Sequence, residues 1–83
     1  MSDLDKDFAA YRRVRTQARR LITLGVKAGR PYDAATTVGG VAKATQIAPE
    51  EVVRLINRCG YLMGVYEVPH EPIENWTIFE DGM

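Results

Sequence analysis

Few residues in this 83-residue sequence could perform covalent chemistry or bind a metal. It contains one histidine, His70, and one cysteine, Cys59. Catalysis by a histidine needs a nucleophile or a metal close to it, and a tetrahedral zinc site needs more ligands than these two residues supply. Gly39 and Gly40 lack the lysine geometry of a phosphate-binding loop, and there is no dinucleotide-binding fingerprint. We therefore expect a binding protein rather than an enzyme, with no metal or cofactor.

Charged side chains are distributed unevenly, although the formal net charge is zero. Residues 8–43 contain eight Lys or Arg and one acid, whereas residues 59–83 contain five acids and no Lys or Arg. The basic half could bind a polyanion, and the acidic half would repel one. Alternatively, the two halves attract each other, within one molecule or between copies.

The composition is that of a small globular domain, with 46% hydrophobic and 27% charged residues. A single cysteine excludes an internal disulfide and fits a reducing compartment. The sequence has no basic-then-apolar leader, and no apolar run approaches the roughly 18 residues of a membrane span. We expect one cytoplasmic domain over residues 1–83 that does not enter a membrane.

A long amphipathic helix over residues 1–29 is predicted to present the cations. Ser2 or Asp3 can cap its start, and Arg30-Pro31 should end it. Its apolar residues recur at three- and four-residue spacing and therefore share one face; they are Leu4, Phe8, Tyr11, Val14, Ala18, Leu21 and Ile22. The arginines form two stripes away from that face; these are Arg13 with Arg20, and Arg12 with Arg19. The alternative role of these arginines is only to keep an exposed helix soluble.

Shorter elements are predicted after a connector at residues 30–36. A helix over 38–45 has Thr36 or Thr37 as its cap. After a break at residues 46–48, a second helix begins at Pro49, where proline suits the first turn, and ends near Arg58. Beyond it, residues 61–68 and 76–79 are rich in β-branched and aromatic residues, so they predict two strands of a hairpin around a proline-containing loop. The fold class is α+β, with three helices followed by a two-stranded hairpin.

The stretch VAKATQIAPEEVVRLI (41–56) has the pattern of two helices that cross at a steep angle. Ala42 is small at the crossing point, Ile47 fills the turn, and Val52 and Leu55 face inward. Together with the following GYLMGVYEV and WTIFE, this stretch resembles the winged helix-turn-helix of small bacterial or phage-type transcriptional regulators. The resemblance covers about residues 37–80 and implies a helix-turn-helix at 37–58 and a wing hairpin at 61–80.

This resemblance implies a regulator or architectural protein that binds double-stranded DNA, with the second helix of the motif in the major groove. A single module offers a small interface, so we also expect a homodimer, with Phe8 and Tyr11 near the free end of the first helix as the dimer surface. The residues expected to contact DNA are Lys43, Gln46, Glu50, Arg54, Asn57 and Arg58 of the helix-turn-helix, and Arg12, Arg13, Arg19 and Arg20 of the first helix.

Some residues depart from the pattern of the family. Ala48 stands where a Ser or Thr cap is usual, and Gln46 stands where a glycine is usual. The tip of the second helix is acidic, as is the wing. These departures favour an alternative function, a winged-helix adaptor or phage-type inhibitor that binds a protein partner through its acidic wing. The aromatic residues of the hairpin are expected to pack mostly onto the helices rather than to stack on nucleic acid bases; they are Tyr61, Tyr66, Trp76 and Phe79.

Overall fold

Three helices and a three-stranded antiparallel sheet form the part of the chain that the computed structural model describes, residues 3–27 and 35–80. The helices are α1 (Asp3–Lys27), α2 (Val38–Thr45) and α3 (Pro49–Cys59), the strands are β1 (Ala35–Thr37), β2 (Met63–Tyr66) and β3 (Thr77–Glu80), and a 3-10 turn covers Ile73–Asn75. The described helices include none that is long and apolar enough to span a bilayer. The predicted helix cap at Ser2 and the predicted helix end at Arg30-Pro31 lie outside the described residues.

Helix α1 packs against α2, α3 and β1, but the predicted apolar face is largely uncovered in its first two turns. Leu4 and Phe8 are 44% and 42% exposed. The face becomes buried from Tyr11 onward and contributes Val14 and Ile22 to the core. The prediction that Tyr11 belongs to a dimer surface is therefore wrong. Tyr11 is 7% exposed because β2 covers it, and its hydroxyl donates a weak hydrogen bond to the Met63 Sδ at 3.9 Å.

The predicted helix over residues 38–45 is confirmed. Thr37 is its cap, because its Oγ1 accepts a hydrogen bond from the Gly40 N–H at 3.1 Å. The helix ends at Thr45, and Gln46 follows it as the C-cap, with a left-handed φ of 59° and an N–H that donates to the Ala42 carbonyl. Glycine is the usual residue in this conformation, which explains why the family pattern has a glycine at the position of Gln46.

Helix α3 also begins where the sequence predicts, at Pro49, and it ends one residue later than predicted, at Cys59. Ala48 precedes it and provides no side-chain cap, so the positive end of the helix dipole is stabilised by carboxylates of the first turn instead. Val52 and Leu55 are buried as predicted, and Ile47 packs against the same core.

The sheet has three strands rather than the predicted two. The additional strand, β1, lies at the end of the segment that was expected to be only a connector, and it pairs with β3, so the strand order is β1-β3-β2. Ala35 pairs with Phe79 and Thr37 with Thr77. The two-strand prediction failed because three residues carry too little periodicity to identify a strand. The segment Ala35–Thr37 is extended because it pairs with the edge of β3 that β2 leaves free.

The strands of the hairpin are shorter than predicted. Leu62 has a φ of 64°, a left-handed conformation that an extended strand does not allow, so β2 begins only at Met63. Tyr61 and Tyr66 are 83% and 60% exposed, so these two of the four aromatic residues do not pack on the helices. Trp76, directly before β3, does pack against the core.

Candidate nucleic-acid interface

Five arginines of α1 form an exposed surface that we call the basic face, defined by Arg12, Arg13, Arg15, Arg19 and Arg20. They are exposed because the opposite side of the helix, which contains Val14 and Ala18, is completely buried. Lys43 lies exposed in the last turn of α2, beside the five arginines of the basic face in the exposed surface. No other described helix or strand presents as many exposed cations as α1.

Two members of the basic face, Arg13 and Arg20, each donate to one neighbouring group. The Arg13 Nη2 donates to the Thr45 carbonyl at 2.6 Å, and it therefore caps the end of α2, where the helix dipole favours a cation. Arg20 donates to the side chain of Gln17 at 3.3 Å. A guanidinium has five N–H donors, so both residues keep donors for a ligand.

Arg19 lies toward the sheet and is neutralised by Glu80 of β3. Its Nε and Nη2 donate to the Glu80 Oε1 at 2.8 and 2.6 Å. The Glu80 side chain is only 6% exposed, whereas that of Arg19 is 49% exposed. These hydrogen bonds raise the pKa of Arg19 above its ordinary value. The pair realises, within one molecule, the attraction between the basic and acidic halves that the sequence allowed.

Two adjacent concavities run along the basic face, and we call them together the groove. The first has a volume of about 290 Å³ and is lined by Arg12, Arg13, Thr16, Gln17, Ala44 and Thr45. The second has a volume of about 220 Å³ and is lined by Arg12, Arg15, Thr16 and Arg19. Arg12 and Thr16 line both concavities, so these two residues lie where the two concavities meet.

The arginines of α3 are held by acids. Arg54 donates to both carboxylate oxygens of Asp7, at 2.9 and 3.1 Å, and it also pairs with Glu51 of its own helix. The Arg58 Nε lies 3.1 Å from the Asp7 Oδ2. The hydrogen bond from Arg54 lowers the pKa of Asp7, and the same contact raises the pKa of Arg54. This network fastens the first turns of α1 to α3.

Both arginines of the exposed surface of α3 consequently lie against a carboxylate. Glu50 is exposed at the helix start and Asn57 is exposed farther along. Neither Arg54 nor Arg58 lines the concavities of the basic face. The residues expected to contact DNA therefore fall into two groups, one on the basic face and one on α3.

The two remaining predicted positions lie at the end of α2. Lys43 and Gln46 are both exposed and flank Ala44 and Thr45, which line the groove. Neither makes a side-chain hydrogen bond or ion pair with another described residue. Because Lys43 and Gln46 flank two residues that line the groove, they belong with the basic face rather than with the arginines of α3.

Sequence analysis missed several residues of this region. Arg15 and Thr16 were not among the expected contacts, although they follow Arg12 by three and four residues and so lie on the same side of the helix. Their spacing was a usable signal. Asp7 and Glu80 were also missed, because their partners lie 47 and 61 residues away and no local pattern connects them.

The loop between β2 and β3 is acidic. Glu67, Glu71 and Glu74 are all exposed, and the Glu71 carboxylate accepts a hydrogen bond from the Asn75 side chain at 2.8 Å. His70 is exposed in the same loop. Within residues 3–27 and 35–80, no three His, Cys, Asp or Glu side chains are grouped to hold a metal ion.

Comparison with known proteins identifies no relative of this chain. No protein-family model matches it, and neither the curated proteins nor the solved structures include a significant match.

Proposed function

We propose that this chain is a winged helix-turn-helix protein that binds double-stranded DNA, and that the basic face of α1 makes most of its phosphate contacts. The order of three helices followed by the β2–β3 hairpin supports the winged-helix assignment. So does the connection between α2 and α3, which consists of only residues 46–48, a length typical of a helix-turn-helix.

The observation that carries the proposal is the unpaired charge of α1 and α2. On the basic face and α2, five exposed cations have no carboxylate partner among the described residues; they are Arg12, Arg13, Arg15, Arg20 and Lys43. Each phosphate contact lowers the slope of log K against log salt by about 0.9, so five contacts give a slope of about −4.5. A surface of this kind binds the DNA backbone with little dependence on sequence.

Helix α3 contributes less than the family resemblance implies. A recognition helix reads bases with exposed donors near its start. Here Glu50 occupies that position, and Arg54 and Arg58 already donate to carboxylates. We therefore favour an architectural role, in which backbone contacts dominate, over reading of a specific operator by α3.

Two double variants that each remove two positive charges test this proposal. Binding to a random-sequence duplex is measured by fluorescence anisotropy across a salt series. Replacing Arg12 and Arg15 by alanine should reduce the magnitude of the slope by about 1.8, because two phosphate contacts are lost. Replacing Arg54 and Arg58 by alanine should leave the slope unchanged.

The opposite pattern would contradict the proposal and place α3, rather than α1, on the DNA. Absence of binding by the unmodified protein even at low salt would remove DNA binding altogether. Circular dichroism of both variants is needed, since the arginines of α3 also hold Asp7.

A second candidate function, binding of a protein partner through the acidic wing, is favoured by Tyr66. This tyrosine is 60% exposed at the end of β2, directly before Glu67, and tyrosines are frequent anchors of protein interfaces. An exposed aromatic next to an exposed acid suits a partner with a basic groove. This function predicts that a partner is lost with Tyr66→Ala and retained when Arg12 and Arg15 are replaced.

A further inference from the structure

The groove on the basic face combines fixed and unengaged guanidinium groups. Arg13 and Arg19 are anchored, by the Thr45 carbonyl and by Glu80 respectively, so they form fixed positions on two sides of the groove. Arg12 and Arg15 make no hydrogen bond or ion pair within the described chain, although both line the groove. The groove therefore has an anchored arginine on each of two sides and two further arginines whose N–H donors are all available.

Thr16 adds a hydroxyl between these cations. It is exposed, it lines both concavities, and its side chain has no hydrogen-bond partner among residues 3–27 and 35–80. A hydroxyl can donate to an anion without adding charge, and it commonly binds phosphate oxygens next to arginine. The volume of each concavity is several times the roughly 30 Å³ that one water molecule occupies in the liquid, so each concavity has room for an oxyanion.

We propose that the groove is a site for two phosphate groups joined within one molecule, with Arg12 and Thr16 between them. This phosphate site deepens the proposed function and rests on it, because both use the same face of α1. Arg12 is separated from Thr16 by one helical turn and from Arg19 by two, with about 5.4 Å per turn, which suits linked phosphates better than a single anion. The fork of a guanidinium matches phosphate oxygens in a bidentate manner.

Two sources could supply such a pair, namely neighbouring phosphates of a DNA strand or a free polyphosphate. Inorganic tripolyphosphate is a probe that contains the linked phosphates without sugar or base. Its titration into ¹⁵N-labelled protein should shift the resonances of the Thr16 and Thr45 amides and of the Arg12 Nε, and inorganic phosphate should bind more weakly. A competing random-sequence duplex then distinguishes the two sources.

Arg12→Gln and Lys6→Gln form a matched pair of variants. Both remove one positive charge from an exposed position of α1, but Lys6 belongs neither to the basic face nor to the lining of the groove. Arg12→Gln should weaken tripolyphosphate binding by about tenfold, because a bidentate charge-assisted contact is lost. Lys6→Gln should weaken it by less than about twofold, because a solvent-exposed charge outside the site is screened by salt.

The outcomes separate this inference from the proposed function. Equal losses in the two variants, or no shift at Arg12 and Thr16, would overturn the phosphate site even if the duplex binds to the basic face. Tripolyphosphate binding with the expected variants, together with competition by the duplex, would support both proposals. The same binding without duplex binding would support the site, identify a free polyphosphate as its ligand, and contradict DNA binding.

Discussion

Glu80→Gln should strengthen DNA binding, because it releases Arg19 from its ion pair. In the structure, Arg19 directs two of its donors at the Glu80 carboxylate, and that carboxylate is almost completely covered. Glutamine keeps the size of the side chain but removes its charge. Arg19 then becomes the sixth cation of the basic face and α2 without an ionic partner, next to Arg15 along the groove.

The size of the effect follows from one additional phosphate contact. One contact changes the slope of log K against log salt by about −0.9, so the slope should move from about −4.5 to about −5.4. Between salt concentrations of about 1 M and about 0.1 M, a slope steeper by about 0.9 corresponds to roughly an eightfold additional gain in affinity. Fluorescence anisotropy with a random-sequence duplex measures both quantities.

Glu74→Gln is the matched control. It changes the net charge by the same amount, but Glu74 is exposed in the 3-10 turn between β2 and β3 and makes no ion pair with any described residue. Its slope should equal that of the unmodified protein. The reasoning is refuted if Glu80→Gln and Glu74→Gln, both shown to be folded by circular dichroism, give the same slope.

Three further predictions concern stability. Ile78→Ala should reduce the free energy of unfolding by about 2–5 kcal/mol, because Ile78 is fully buried in the central strand; urea denaturation measures the loss, and a loss below that range would show that the core relaxes around the cavity. Gly60→Ala should be destabilising by about 1–3 kcal/mol, since a Cβ at this position would lie 2.7 Å from the Met63 carbonyl oxygen and even closer to that of Ile56; an unchanged melting temperature would contradict this steric requirement. The contribution of Asp7 to stability should be present at neutral pH and be lost as the pH falls from its ordinary pKa of about 3.8 through its lowered pKa in the folded protein. In a plot of melting temperature against pH, Asp7→Asn should therefore show a smaller decrease at acid pH than the unmodified protein. An equal decrease in both proteins would exclude the Asp7 network as its cause.

Local signals predicted the helices well. Thr37 as a cap, the three-residue turn after Thr45 and proline at the start of α3 each act within a few residues of the structure that they determine. These signals do not depend on distant parts of the chain. For the same reason, α2 and α3 were predicted to within one residue at each end.

Features that depend on distant partners could not be predicted in this way. Ala35–Thr37 becomes a strand only because β3 pairs with it, and Tyr11 is buried only because Met63 covers it. The candidate site shows the same division. The arginine stripe was evident from helical spacing, whereas the pairing of Arg54 with Asp7 depends on how α3 packs against α1.

The central position of β3 has a consequence for folding during synthesis. β3 is the last described element, and both β1 and β2 form their ladders with it. A nascent chain that lacks it has two strands without a partner and a core without Ile78, which would leave apolar surface open to the ribosome and chaperones. Closing contacts between α1 and β3 also requires a long loop, which slows folding. We therefore expect the domain to fold in one late step, after β3 has left the exit tunnel.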